Sequence, residues 1–201
     1  MTSRALSAPD ATQEPFNFFV MENKKLLVLS DSHGNINALR AVFRWAKDHI
    51  PPNDTIQATA FLGDGISDLQ YTADAEGFYT DWKLVIGNND YGVQMPEALT
   101  FEFAEHLFFM CHGHRYGLYG GYNMLINAAI SSGADIALCG HSHIPYDKVM
   151  SGVRIINPGS VGRPRSRVGA TFAVIECPPD NSLVVNFYGI GLQGKIKELK
   201  L

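Results

Sequence analysis

The stretch Lys25-Leu26-Leu27-Val28-Leu29-Ser30-Asp31-Ser32-His33-Gly34-Asn35 decides how the rest of this chain is read. A run of apolar, β-prone residues stops at a carboxylate and an imidazole, and Asn35 then offers a side chain that can cap a helix. The helix is written in Ile36, Leu39, Val42, Phe43 and Ala46, close to a 3.6-residue period, and Pro51-Pro52 ends it. Strand, polar loop, helix is the opening unit, and layered α/β proteins gather ligands at the carboxyl ends of such strands.

The unit's first half recurs. Residues 60–62 are an apolar run before Asp64, 84–86 before Asn88, 107–110 before His112, and 136–138 before His141. Five strand ends thus carry Asp31, His33, Asp64, Asn88, His112, His141 and His143. Hard oxygen donors mixed with imidazoles suit manganese, iron, zinc or nickel rather than a thiolate zinc site.

Taken singly, each block has a plainer explanation. Asp31-Ser32-His33 is a turn with a surface histidine, or, on an extended segment, two side chains aimed at one ion. Gly63-Asp64-Gly65 is a tight turn, or a carboxylate whose neighbouring glycines let backbone come close enough for it to bridge two cations. Gly87-Asn88-Asn89-Asp90 reads as an Asx turn. The histidines tip the balance. Five of the seven, His33, His112, His114, His141 and His143, fall at strand ends, while His49 and His106 read as ordinary structural or surface residues.

After Pro96 the chain turns strand-rich. Residues 100–103 and His106–Cys111 read as an antiparallel pair around Ala104-Glu105, and 122–130 as a helix. Ile136–Cys139, 147–150, 153–156, 171–176 and 183–188 read as further strands, 66–79 as a weak helix, and 58–62 and 83–86 as the early strands after the first. Helix-separated strands followed by a strand-rich end predict an α/β protein of two packed sheets with helices outside.

Bulk properties narrow the function. A 201-residue chain with 46% hydrophobic residues fits one domain, taken as 23–201, behind an N-terminal extension, 1–22. That extension is rich in Ser, Thr, Ala and Pro and carries Phe16, Phe18 and Phe19; Met21 is an alternative start. A net charge of −4 argues against a long nucleic acid as partner, though not against a small nucleotide. Cys111, Cys139 and Cys177 have no framework spacing, no apolar run reaches membrane length, and the first twenty residues do not read as a signal peptide. The expectation is a cytoplasmic protein without a membrane partner.

Asp31-Ser-His33-Gly34-Asn35, Gly63-Asp64, Gly87-Asn88, His112-Gly-His114, Gly140-His141-Ser-His143 and Asn157-Pro-Gly-Ser160 together resemble the calcineurin-like metallophosphoesterase signature. The details are similar to its small prokaryotic phosphodiesterase (YfcE-like) branch, over about residues 25–187. The resemblance implies a four-layer αββα sandwich, two mixed β-sheets flanked by helices. It implies two divalent ions, manganese first, with iron, zinc or nickel as alternatives. One ion would be held by Asp31, His33, Asp64 and His143, the other by Asp64, Asn88, His112 and His141, with Asp64 and a hydroxide shared for in-line attack on phosphorus. Asp64, Asn88, His112 and His114 are then the expected catalytic residues, and a small phosphoester the expected substrate. Assembly into a homo-oligomer would follow family habit.

One position departs from the pattern. Many relatives have a histidine after the asparagine, where it helps protonate the leaving oxygen, and here Asn89 stands there. An amide is no acid near neutral pH, so the sequence predicts a preference for good leaving groups, or an acid from elsewhere, with His114 and Asp68 nearest. Arg163, Arg165 and Arg167 read either as a phosphate clamp or as a solvated basic loop. Gly117, Gly120 and Gly121 are followed by no Lys-Ser/Thr, which rejects a Walker-type site. The alternatives in view are a non-catalytic binding or scaffold member of the fold, and a cyclic-nucleotide phosphodiesterase or nuclease.

Overall fold

In the computed structural model, which describes residues 23–49 and 56–201, β1 (Lys24–Leu29) is the strand around which the rest is arranged. It lies inside a six-stranded sheet, between β9 (Ala170–Cys177), antiparallel to it, and β2 (Ile56–Phe61), parallel to it. β3 (Asp81–Leu84) continues the parallel side, and β10 (Val184–Ile190) and β11 (Ile196–Leu199) the antiparallel one. A second sheet has the order β4 (Ala98–Phe103), β5 (His106–Cys111), β6 (Ile136–Cys139), β8 (Val153–Pro158), β7 (Pro145–Met150). In it β5, β6 and β8 run parallel.

Alternation along β1 separates the layers, because successive side chains point to opposite faces. Leu26 and Val28 meet Phe108, Met110, Leu138 and Ile156 between the sheets. Leu27 and Leu29 face outward onto α1 (Ile36–His49) and α2 (Ile66–Glu76), against Leu39, Val42, Phe43, Ile66 and Leu69. The outer face of the second sheet, with Phe109, Ala137 and Ile155, is covered by Leu125, Ile126 and Ala129 of α3 (Asn123–Ser131). Helices, sheet, sheet, helix is the expected αββα order. With both faces covered, β1 reads as an unbroken apolar run.

The first helix begins as its sequence predicts, with Asn35 Oδ1 accepting the Ala38 N–H at 3.1 Å. Its proline stop lies outside the described residues, as does the expected N-terminal extension. α1 is tied to α2 by Glu76, whose carboxylate takes the Nε–H of Arg40 and of Arg44, each at 2.8 Å. The weak helix ends at Glu76, earlier than expected, because Gly77 adopts the left-handed C-cap conformation. Two further differences concern strands. The third strand ends at Leu84, since the Ile86 N–H bonds instead to the Pro96 carbonyl at 3.0 Å. The edge strand β11 has no counterpart in the sequence reading.

The β4–β5 hairpin closes on Ala104 and Glu105 at φ 52° and 44°. A two-residue turn with both φ positive favours Asn-Gly, and L side chains are strained there. Glu105 is exposed and its carboxylate meets Asn181 at the surface. Glu105→Gly is expected to stabilise the protein by about 0.5–1 kcal/mol, read as a higher urea midpoint with unchanged slope.

Candidate metal centre

Parallel strands bring their carboxyl ends to one edge, and the loops leaving them are bonded together. The Asp31 N–H donates to the Gly63 carbonyl at 3.0 Å, the His33 N–H to Asp64 O at 3.1 Å, and the Gly140 N–H to His112 O at 2.9 Å. Gly63 and Gly87 allow two of these loops to touch: a Cβ on Gly87 would stand 2.0 Å from Asp64 Oδ1, and one on Gly63 2.3 Å from the Gly87 nitrogen.

Asp31, His33, Asp64, His141 and His143 all have positive φ, between 45° and 62°. This corrects the extended-segment picture of Asp31 and His33. Left-handed turns, not a pleat, aim these side chains at a common point, and unfavourable backbone clustered in this way is a pattern found at functional sites.

Asp31 is fully buried, and its two oxygens do different things. Oδ2 accepts from the Ser30 hydroxyl at 2.5 Å and from the His141 N–H at 3.1 Å. Oδ1 faces His143 Nε2 at 3.0 Å, His33 Nε2 at 3.6 Å and His112 Nε2 at 3.9 Å. Asp64 Oδ2 stands 3.6 Å from His33 Nε2 and 3.5 Å from His112 Nε2. Asp31, His33 and His143 form one group able to share a cation, and Asp31, Asp64 and His112 another. Burial pushes the Asp31 carboxyl up, but the facing imidazoles of His143 and His33 and the charge of His112 outweigh it and hold the carboxyl well below the usual range. Burial opposes protonation of His143, and the facing Asp31 carboxylate overcomes this and raises its pKa. His141 and His114 move down, through burial and then through His112.

Backbone carbonyls fix the ring orientations. His112 Nδ1 meets Leu62 O at 2.6 Å and His143 Nδ1 meets Arg163 O, so in each ring Nε2 is left as the lone-pair donor. Asp31 Oδ1 and His112 Nε2 are buried with no hydrogen-bond partner. Buried polar atoms are rarely left so; two such acceptors aimed into one space fit a cation.

Of the other expected residues, Asn88 and His141 join His33, Asp64 and His143 in the wall of an open cavity of about 360 Å³. His114 is not among the residues lining this cavity; its ring centroid is 5.4 Å from that of His112 and 6.2 Å from that of His141. Asp68 is occupied elsewhere: its Oδ2 accepts from the Ser32 hydroxyl at 2.6 Å and the Gly34 N–H at 2.7 Å, which makes it a prop for the 31–34 loop. Asn89 donates its backbone N–H to Asp64 Oδ1 at 2.7 Å and its amide to Oδ2 at 2.6 Å.

The positioning roles of some residues escaped the sequence reading. Asp90 takes four backbone N–H groups, from Asp64 and Gly87 on Oδ2 at 2.7 and 2.8 Å, and from Gly65 and Ile66 on Oδ1 at 2.7 and 2.9 Å. Ser160 Oγ donates to Asp31 O at 2.8 Å, and Asn157 Nδ2 to Gly140 O at 2.8 Å. The Asn157–Ser160 turn thus joins the Asp31 loop to the His141 loop; its buried polar residues were the available signal.

Carboxylates and imidazoles converging at the strand ends of two stacked sheets define an α/β metal-site protein. The model of the calcineurin-like phosphoesterase superfamily domain matches residues 25–180, and the chain belongs to that family. It is 34% identical over 145 residues to a probable metallophosphoesterase of Mycoplasma pneumoniae, covering 71% of this chain and 82% of that one. Among solved structures, a conserved Streptococcus pneumoniae protein described as a predicted phosphoesterase aligns at TM-score 0.66 and 26% identity, over 89% of this chain and 98% of that one. The Escherichia coli phosphoesterase Yfce aligns at 0.58 and 19%, over 80% and 96%. Vacuolar protein sorting 29 of Cryptosporidium parvum aligns at 0.71 and 16%, over 89% and 96%; at such identities the likeness is one of fold. Among the described residues, no helix is long and apolar enough to cross a membrane.

Proposed function

We propose that this protein is a divalent-metal-dependent phosphodiesterase acting on a small phosphoester. The observation that carries the reading is the pair of buried, unpartnered acceptors, Asp31 Oδ1 and His112 Nε2, flanking Asp64 Oδ2 beside an open cavity. Asp31, His33, Asp64 and His143 would hold one ion, and Asp64, Asn88, His112 and His141 the other, with manganese ahead of iron, zinc and nickel. Asp64 Oδ2, about equally far from His33 and His112, suits the shared position. Two such ions supply charge neutralisation at the phosphoryl oxygens and a lowered pKa for water.

The chain's own residues do the rest. Asp90 and Asn89 hold Asp64 in place, Leu62 O and Arg163 O keep His112 and His143 turned inward, and His114 is the imidazole left for the leaving side of the ester. The net charge of −4 supplies no excess of positive surface for a long nucleic acid, which favours a compact ester. The buried free thiols Cys111, Cys139 and Cys177 suit the cytoplasm. The scaffold alternative has a backbone likeness to Vps29 behind it, whereas this chain keeps every carboxylate and imidazole of the set.

The direct test is hydrolysis of bis(p-nitrophenyl) phosphate by purified protein with added Mn²⁺, Fe²⁺, Zn²⁺ or Ni²⁺. Turnover with at least one ion, abolished by chelation, is expected; no turnover with any of them overturns the reading. Asn89→His is expected to raise kcat on poor leaving groups by about tenfold to a hundredfold, at or below the low end of a general acid's worth because the exchange gives up the Asn89 amide bond to Asp64 Oδ2. A leaving-group series with the same slope in both proteins would count against a role for position 89.

A further inference from the structure

Seven arginines lie among the described residues. Four face carboxylates: Arg40 and Arg44 on Glu76, Arg115 on Glu97, and Arg154 on Asp147. The other three, Arg163, Arg165 and Arg167, sit together on the loop between β8 and β9, and among the described residues no carboxylate pairs with them. Arg163 and Arg165, unlike Arg167, line the cavity that holds His33, Asp64, Asn88, His141 and His143. Cations with no carboxylate partner among the described residues, beside a phosphate-type site, are placed to meet an incoming anion.

Arg165 is also held in place. Its backbone N–H donates to His143 O at 3.2 Å, so it is seated on the loop of an expected ligand. Its guanidinium donates to the Tyr119 hydroxyl, which in turn donates to His141 O at 3.4 Å. The Tyr119 ring leans on the His141 ring, centroids 5.6 Å apart at 60°, yet the residue remains 67% exposed. A tyrosine fixed at its hydroxyl and open on its ring is a surface already ordered for a planar partner, which lowers the entropic cost of binding one. Only one of the five guanidinium donors is used on Tyr119, and a fork of that shape matches phosphoryl oxygens.

We propose that Arg165 binds a non-bridging phosphoryl oxygen at the cavity mouth, that Tyr119 positions Arg165, and that the open Tyr119 ring stacks with a planar ester group. The preferred substrates are then phosphodiesters carrying an aryl or nucleobase-bearing group, with stacking of the kind that aromatic side chains give to bases. This assignment rests on the phosphoesterase reading and adds to it a substrate class.

The test uses the full chain loaded with Mn²⁺, with inorganic phosphate as the binding probe by calorimetry. Two esters with one leaving group, phenyl p-nitrophenyl phosphate and methyl p-nitrophenyl phosphate, are the kinetic probes. Arg165→Gln is expected to weaken phosphate binding about tenfold or more and to raise KM for both esters similarly, as loss of a charge-assisted hydrogen bond does. Tyr119→Phe should shift KM in the same direction by about threefold, through the lost hydroxyl contact. Tyr119→Leu should bring the phenyl and methyl esters to equal kcat/KM. Arg167→Gln should change none of these. Equal phosphate affinity in Arg165→Gln and wild type overturns the role of Arg165, and an unchanged phenyl-to-methyl ratio in Tyr119→Leu overturns the substrate class. Failure of wild type to hydrolyse either ester with any divalent ion would instead sink the phosphoesterase reading, and the phosphate titration would still decide on Arg165.

Discussion

Asp64→Asn should lower kcat/KM on a chromogenic phosphodiester by about 10³-fold or more, the scale on which a single electrostatic group at a reacting centre acts, while leaving the fold intact. The substitution is nearly isosteric, and Asn is among the residues best suited to the positive φ of 60° at this position. An amide oxygen can still accept one of the two bonds from Asn89. What is lost is a negative charge in a nearly fully buried place that it shares with Asp31. In the metal-free protein, that loss relieves repulsion between two carboxylates. The metal-free variant should therefore melt close to the metal-free wild type, the relieved repulsion offsetting the one Asn89 bond that the amide cannot accept. A large drop in melting temperature would mean that Asp64 is structural and that its effect on turnover says little about metal.

Asp90→Asn is expected to do the reverse, costing about 3–5 kcal/mol of stability, a loss visible in the urea midpoint. Four backbone N–H groups point at this carboxylate, two on each oxygen. The variant has a single acceptor oxygen, and its amide hydrogens would face two of those N–H groups directly. Three of the four belong to Asp64, Gly65 and Ile66, so Asp90 caps the start of α2, where Gly65 has no side chain to do so. The fourth belongs to Gly87, in the loop after β3. Loss of the cap would therefore shift Asp64 and the Asn88 turn together. Activity should fall with stability in this variant, and saturating Mn²⁺ should restore part of both. A variant as stable as wild type would show that the four bonds are dispensable.

Strand positions were legible because β1, β5 and β6 end in four residues that are apolar on both faces, and β2 ends on Ala60 and Phe61, which leaves a hydrophobic signal up to each candidate ligand. The first helix was legible from Leu39, Val42, Phe43 and Ala46 and from its Asn35 cap. β11 was not: Ile196-Lys197-Glu198-Leu199 is short, at a sheet edge, and mixes polar with apolar residues. The candidate ligands and their order could be proposed from local sequence, whereas the left-handed backbone at these positions could not, because Asp31, His33, His141 and His143 take it up through contacts between loops distant in sequence. The roles of Asp90 and Asp68 were hidden for the same reason. Asp68, an acid candidate by proximity in sequence, is used to hold Ser32 and Gly34. Asp90 acts on residues 24 to 26 positions before it.

The central claim is a two-ion centre that hydrolyses a phosphodiester. Its most direct test is a titration of metal-free protein with Mn²⁺, in which bound ions are counted per chain and hydrolysis of bis(p-nitrophenyl) phosphate is followed on the same samples. Two ions per wild-type chain, with turnover rising as the second is taken up and both lost in Asp64→Asn, is the expected result. One ion or none at saturation, or two ions without turnover, would contradict it.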